Sequence, residues 1–391
     1  SKRGGWKGPA PTEYRWRMTL KNAGILKPTL LAIGLLSLNL AAGCVAPSLA
    51  QRPAPAPTLE QTPVFPGATW ESIGNPESVG WARASLDSIR ARLALTPTTG
   101  FMAVVGGRVL MSYGNVDTLS YLASVRKSIL SMLYGNYVAS GQIHLDKTLQ
   151  QLGFDDIGGL SASEKQATIR DLIMARSGVY HAASNPGDNL DSAPPRGSQK
   201  HGTYFLYSNW DFNAAGAAFE KETGLNIYDA LERDIARPIA MQDWNRAAQE
   251  KSGDSTRSVF PAYHMWLSTR DMARIGLLML RQGNWNGRQL VPRGWVREST
   301  SALTHVWETH PSTTRKGPFG YGYLWWVWDG DWAKGAYEGA FTGLGAVGQQ
   351  ITVIPKLDMV VVHKTAPGGR SMSHQAYLEI LDHLIKTHRA F

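Results

Sequence analysis

The spacing of apolar residues along the chain changes period three times, and each change predicts a different kind of element. "GFMAVVGGRVLMSYG" (100–114) is two β-rich runs around Gly106-Gly107, which predicts a hairpin with a Gly-Gly turn. "SVRKSILSMLYGNYVASG" (124–141) then carries apolar residues at helical spacing and stops at Gly141. Helical patterning dominates from there to about residue 284. "TIRDLIMARSG" offers Thr168 as N-cap with Asp171 three residues on, and "STRDMARIGLLMLRQG" repeats the scheme with Ser268, Asp271 and a stop at Gly283. Strand patterns return in "GYGYLWWVW", "VGQQITVIP" and "DMVVVHKT", and "SHQAYLEILDHLIK" predicts a final helix. Strands, then helices, then strands and a last helix predict an α/β fold. Its sheet part draws on both chain ends, about 67–145 and 285–391, with a mainly helical insert over about 146–284.

Composition changes this picture only at the N-terminus. A chain of 391 residues that is 43% hydrophobic can bury a large core. The net charge of +9 is uneven: residues 1–50 hold seven Lys/Arg and one acid, leaving 33 basic against 30 acidic groups elsewhere. No basic stripe points to nucleic acid. "MTLKNAGILKPTLLAIGLLSLNLAAGC" from Met18 has the layout of a secretory signal, with Lys21 and Lys27 ahead of an apolar run and small residues behind it. That run is shorter than the ~20 apolar residues a membrane-spanning helix needs. Residues 1–17 read as upstream translation. Two processing sites compete: "AAGC", which resembles a bacterial lipobox with Cys44 as the lipidated residue, and "SLA", ending at Ala50. Either predicts export, to the periplasm or to a membrane-anchored lipoprotein form in a bacterium. Cys44 is the only cysteine, so the mature domain holds no disulfide within itself. "QRPAPAPTLEQTPVFP" (51–66) reads as a Pro-rich tether.

Two patterns compete for the chemistry. Gly343-Leu344-Gly345-Ala346-Val347-Gly348 spells G-x-G-x-x-G, a dinucleotide fingerprint when it opens a helix inside a βαβ unit. Here "QQITVIP" follows, which is strand-like, so no cofactor is expected. The second pattern is Ser124-Val125-Arg126-Lys127, S-x-x-K at a helix start, where positions i and i+3 share a face. A Ser hydroxyl needs a base within hydrogen-bond reach, and a lysine serves only when burial and nearby positive charge keep it neutral. The same spacing also describes an N-cap followed by a surface lysine. Tyr207-Ser208-Asn209 adds a phenol that could relay a proton and an amide that could hold the lysine or a substrate carbonyl. Tyr134-Gly135-Asn136 also fits Y-x-N, but it falls inside the first helix and predicts a tyrosine packed between helices.

With these residues in place, the sequence resembles the serine β-lactamase and penicillin-binding-protein superfamily. It is closest to the class C β-lactamase-like branch that includes D-alanyl-D-alanine carboxypeptidases, family VIII esterases and 6-aminohexanoate-dimer hydrolases. The resemblance runs from about residue 70 to the end, on "SVRKSILSMLYG", "YSNWDFNAAG", "LSTRDMARIGLLMLRQG", "YGYLWWVW" and "GQQITVIPKLDMVVV". It implies a β-lactamase-like fold, an antiparallel sheet flanked by helices, and an acyl-enzyme mechanism with Ser124 as nucleophile and Lys127 and Tyr207 as the acid–base pair. "GAVGQQITVIP" resembles the strand that supplies the second oxyanion donor, which would place that N–H at Ala346, with Gly345 allowing close approach. Many relatives carry K-T-G or H-T-G on this strand. This chain has Phe341-Thr342-Gly343, so an ester or amide without an essential carboxylate is expected, with a β-lactamase, a D,D-peptidase or a non-catalytic binding protein as rivals.

The remaining residues have plainer expectations. Lys364 is expected on the surface, and Arg370 could supply the missing cation from the loop before the last helix. His264 and His363 are read as structural, and no metal-type histidine cluster occurs. Trp325, Trp326 and Trp328 divide between core and cleft wall, and Trp210 is a candidate for the substrate wall. The expected partner is a small ester, amide or peptide, with a possible membrane tether through Cys44 and no nucleic acid.

Overall fold

The computed structural model describes residues 63–366 and 368–390. The signal sequence, Cys44, Ala50 and nearly all of the tether lie outside the described residues. The tether's last residues already belong to the body. Phe65 packs on Trp285 at a centroid distance of 5.2 Å, and Arg274 donates to Pro66 O at 3.4 Å.

Seven strands make the main sheet: β1 (Thr98–Val105), β2 (Arg108–Gly114), β3 (Phe319–Tyr321), β4 (Trp326–Trp328), β5 (Phe341–Gly345), β6 (Gln349–Ile354) and β7 (Met359–Thr365). Their order is β2-β1-β7-β6-β5-β4-β3, and every pairing is antiparallel. The two chain ends therefore meet inside one sheet, with Phe101 opposite His363 and Met102 opposite Val362. The β1–β2 hairpin turns at Gly106 and Gly107, with φ of 60° and 83°, values that side chains on an L-residue disfavour.

Five longer helices frame the sheet: α1 (Arg83–Ala94), α2 (Val125–Ala139), α3 (Asn209–Thr223), α4 (Thr269–Leu280) and α5 (His374–Lys386). On one face α1 and α5 pack together, tied by Trp81 Nε1 donating to Leu384 O at 2.8 Å, over a core that includes Phe101, Met359 and Val361. On the other face Met272, Ile275 and Leu278 of α4 share a core with Ile351, Val360 and Val362. Thus α4, counted in the helical insert by its pattern, covers the sheet itself. Ser268 caps it through Asp271 N at 3.2 Å, but the Asp271 carboxylate turns away to accept from Gln242 N and Asp243 N.

Between 146 and 284 there is less helix than the pattern predicts. The Thr168 capping box forms, with Thr168 N donating to the Asp171 carboxylate at 2.8 Å, but the helix it starts ends at Ile173 because Ala175 turns to φ 56°. Short ladders, Ser120–Tyr121 with Trp266–Leu267 and Glu250–Ser252 with Ala262–His264, fill part of the remainder.

Lys364 is not on the surface. It is 1% exposed, and its Nζ donates to Ser120 O at 2.9 Å and to Leu267 O, tying β7 to the small ladder beside it. Burial lowers its ammonium pKa to about 7. Strand alternation places Lys364 on the same face as Val360 and Val362 in a strand paired on both sides, which is the reason it is covered. Among the described residues, no helix is long and apolar enough to cross a membrane.

Candidate active site

Ser124 is the N-cap of α2, held in helical geometry (φ −74°, ψ −8°) by Ala123 before it, which sits at φ 48°. A left-handed alanine costs roughly 1–2 kcal/mol, so the turn into α2 is strained at the residue ahead of the serine. One helical turn on, Lys127 projects from the same face but is only 2% exposed. Its Nζ lies 2.9 Å from Ser124 Oγ, 2.6 Å from Tyr207 Oη and 2.7 Å from Asn209 Oδ1. Four residues read from two motifs about eighty positions apart thus meet around one nitrogen.

The elements explain this convergence. Tyr207 ends an extended segment and Asn209 begins α3, so the phenol and the amide approach Lys127 from the strand-to-helix junction. Asn209 Nδ2 donates to Pro186 O at 2.9 Å, which turns Oδ1 toward Lys127. Its backbone N–H donates to Asp188 Oδ2 at 3.0 Å. The Tyr207 ring is fixed by stacking on half-buried Trp326 (5.5 Å, 24°) and by contact with Phe212 at 4.7 Å.

Electrostatics favours a neutral amine. Burial lowers the Lys127 pKa well below the ordinary lysine value, the neighbouring Arg126 charge lowers it further, and Asp188 opposes both. The Tyr207 phenol is pushed up to about 12, first by burial, with the Ser124 hydroxyl and Arg126 pulling the other way. Three contacts suit both states of the lysine. An ammonium donates to all three oxygens; an amine donates two hydrogens and accepts from a hydroxyl through its lone pair. The constellation can therefore take a proton from Ser124 and pass it on without rearranging.

The strand predicted to supply an oxyanion donor runs past this helix start. A β-carbon on Gly343 would lie 3.1 Å from Ser128 Oγ, and one on Gly345 would lie 2.5 Å from Leu122 O. Glycine is what lets β5 approach α2 so closely. The β4 partner pairs only with Phe341 and Thr342, so among the described residues no strand covers the outer edge of Gly343–Gly345. Ala346 follows, exposed, and Val347 sits at φ 61° in the turn to β6. The G-x-G-x-x-G segment is therefore a strand end and a turn between antiparallel strands. At the position where the resemblance leads one to expect a cation, the Phe341 ring is 1% exposed and packs edge-on against Trp325. Thr342 turns to Thr352 Oγ1 at 2.9 Å. Arg370 is exposed in the segment before α5.

Trp210 does not line the cleft. It is 0% exposed, and its Nε1 donates to buried Asp156 at 2.7 Å. Helix geometry advances each residue by about 100°, so the residue after Asn209 points into the core. Of the three strand tryptophans Trp326 lies beside the site, while Trp325 and Trp328 are buried. Tyr134 packs between helices and donates to Ala215 O of α3 at 2.6 Å. His264 bonds Tyr121 Oη through Nδ1 at 2.9 Å, and His363 bridges Gly348 O and Thr98; burial lowers both imidazoles to about 4. Two charged neighbours, Arg126 and Asp188, were not singled out from the sequence. Nothing in the spacing marks Arg126 as buried or brings half-buried Asp188 to the site. Among the described residues, no group of three His, Cys, Asp or Glu side chains could hold a metal ion.

The family model described as Beta-lactamase matches residues 88–380. A 6-aminohexanoate-dimer hydrolase from Paenarthrobacter ureafaciens is 26% identical over 303 residues, covering 71% of this chain and 74% of the relative. A penicillin-binding protein homologue from Caulobacter crescentus superposes with a TM-score of 0.57 at 14% identity, over 82% of this chain and 99% of the other. EstCE1, a hydrolase with promiscuous acyltransferase activity, does so with a TM-score of 0.57 at 15% identity, over 79% and 99%. These two structures share the fold.

Proposed function

The chain belongs to the beta-lactamase family, and from that premise we propose that it is a serine hydrolase that acylates Ser124 and cleaves a carboxylic ester or amide. The observation that carries the proposal is the single nitrogen of Lys127, held 2.9 Å from Ser124 Oγ and 2.6 Å from Tyr207 Oη. Ser124 Oγ bonds to the substrate carbonyl carbon while its proton passes to the Lys127 amine, and the carbonyl π pair moves onto oxygen. The N–H groups of Ser124 and Ala346, at a helix start and a strand end, receive that oxyanion. Collapse re-forms the carbonyl and breaks the bond to the leaving oxygen or nitrogen, which takes the Tyr207 proton; Lys127 restores it. Water then attacks the acyl group, gives its proton to the same pair, and Ser124 departs as a hydroxyl. The products are an acid and an alcohol or amine.

The buried Phe341 ring disfavours substrates that need a cation for their carboxylate, as penicillins and D-Ala-D-Ala peptides do. A relative named for 6-aminohexanoate-dimer hydrolysis and a fold neighbour named as an acyl-transferring hydrolase support the ester and amide class. The signal-like pattern from Met18 supports an exported enzyme, anchored through Cys44 or released after Ala50. Mass spectrometry of the mature N-terminus separates those two forms. The activity is tested on p-nitrophenyl esters, alkyl amides, nitrocefin and a D-Ala-D-Ala peptide, with Ser124→Ala alongside. Turnover of esters or amides that Ser124→Ala abolishes is expected. Preference for nitrocefin or the peptide would reassign the substrate, and no turnover of any class would leave a binding protein.

A further inference from the structure

Arg126, inside the S-x-x-K segment, is the most anomalous charge in the described molecule. It is 2% exposed, and among the described residues no carboxylate forms an ion pair with it. Among the described residues its Nε and Nη1 have no hydrogen-bond partner, and Nη2 reaches Asn213 Oδ1 only at 3.4 Å. What holds it is the Tyr263 ring, with the guanidinium carbon 4.8 Å from the centroid. An uncompensated buried charge costs several kcal/mol, so a purely structural position would be better filled by an apolar side chain.

Its setting runs parallel to that of its neighbour. On α3, Asn209 and Asn213 are four residues apart and share a face; Asn209 holds Lys127 and Asn213 meets Arg126. Both amides also grip the same loop, Asn209 through Pro186 O at 2.9 Å and Asn213 through Asn185 Oδ1 at 2.8 Å. Two consecutive basic side chains are thus set against two amides one helical turn apart, with neutral oxygens where carboxylates would ordinarily sit.

We propose that Arg126 is a positioning residue for the proton-transfer step: its unpaired guanidinium, fixed by Asn213 and Tyr263, biases Lys127 toward the neutral amine that can accept the Ser124 proton. This rests on the acyl-enzyme reading above. The groups facing the pair are Asp188 from the loop before α3, Tyr207, Tyr121, Tyr263, His264 and Tyr228. Of these only Asp188 carries a charge that favours the ammonium; the phenols remain protonated and His264 neutral near pH 7. The direction agrees with the lowering that Arg126 contributes at Lys127, second after burial.

The test compares Arg126→Met and Arg126→Lys with wild type. Since the amine is the active form, kcat/KM climbs as pH rises through the Lys127 pKa. Removing the positive charge moves that acid limb up by about one unit, the size two nearby charges produce at protein dielectric values. Below the limb Arg126→Met loses about tenfold, and at high pH it recovers. Arg126→Lys keeps the wild-type profile. Arg126→Met should also melt higher, since an unpaired buried charge is gone, whereas a merely structural arginine would leave a less stable protein with an unmoved profile. If Arg126→Met does not fold, Arg126→Gln takes its place. Titration of Lys127 by 13C NMR in the same proteins reads the shift without turnover, so failure of the hydrolase assignment and failure of this inference are told apart. An unchanged Lys127 titration in the neutral variant, or Arg126→Lys behaving as that variant does, overturns the proposal.

Discussion

Replacing Tyr207 by phenylalanine isolates the proton relay from everything else the side chain does. The ring keeps its stack on Trp326 and its contact with Phe212, so packing is preserved. What is lost is one oxygen, 2.6 Å from Lys127 Nζ. With its pKa near 12 the phenol is neutral at working pH, so no charge disappears with it. One neutral hydrogen bond is worth about 0.5–1.5 kcal/mol, which bounds the stability change. The kinetic effect is larger, since general acid–base catalysis contributes ~10²–10⁴-fold. The loss should depend on the leaving group: near the full range for an alkyl ester or amide, whose leaving atom needs a proton, and smaller for a p-nitrophenyl ester, whose leaving group departs as an anion. The assay is kcat/KM on an alkyl and a nitrophenyl ester of the same acid, with a melting curve for each protein. A loss under tenfold on the alkyl ester, or equal losses on both, would refute the assignment of Tyr207 as the group that protonates the leaving atom.

Two further substitutions probe the surroundings. Gly345→Ala would put a β-carbon 2.5 Å from Leu122 O and 2.9 Å from Gln349 Cβ, so the strand must shift beside Ser124. A displacement of about 1 Å can cost ~10²-fold, and kcat should fall by about that factor while the fold, followed by circular dichroism, is kept. Trp210→Phe removes the 2.7 Å bond to the buried Asp156 carboxylate. It should cost about 1.5–3 kcal/mol of stability, read by denaturant titration, with KM unchanged; a raised KM and an unchanged midpoint would return Trp210 to the substrate wall.

Much of the site was legible because its geometry is local. Ser124 and Lys127 share a face through helix spacing alone, and Tyr207 and Asn209 stand at a junction where strand and helix patterns meet. Trp210 was misplaced because one residue more or less at such a junction swings a side chain by about 100°. Lys364 differs from its expected surface position, which rested on its place at the end of a strand pattern. The run Val360-Val361-Val362 before it already implied a strand covered on both faces, and period-two alternation carries Lys364 into the same layer as Val362. Arg126 is different in kind. Its side chain is buried by Tyr263 and Asn213, contributed from 137 and 87 positions further along the chain, and no local pattern reports what a distant segment will cover. The shortened helix after Thr168 has the same origin: the cap forms as its residues dictate, but Ala175 is turned by contacts with residues beyond 200, including Leu206 N donating to Ala175 O.

The most direct test of the central claim is the mass of the protein during turnover. Wild type, quenched in acid after mixing with a slowly hydrolysed ester, should gain the mass of the acyl group on the peptide that contains Ser124. The adduct should decay once substrate is exhausted and should be absent from Ser124→Ala. Continued turnover with no adduct at any time, and with Ser124→Ala as active as wild type, would contradict the account.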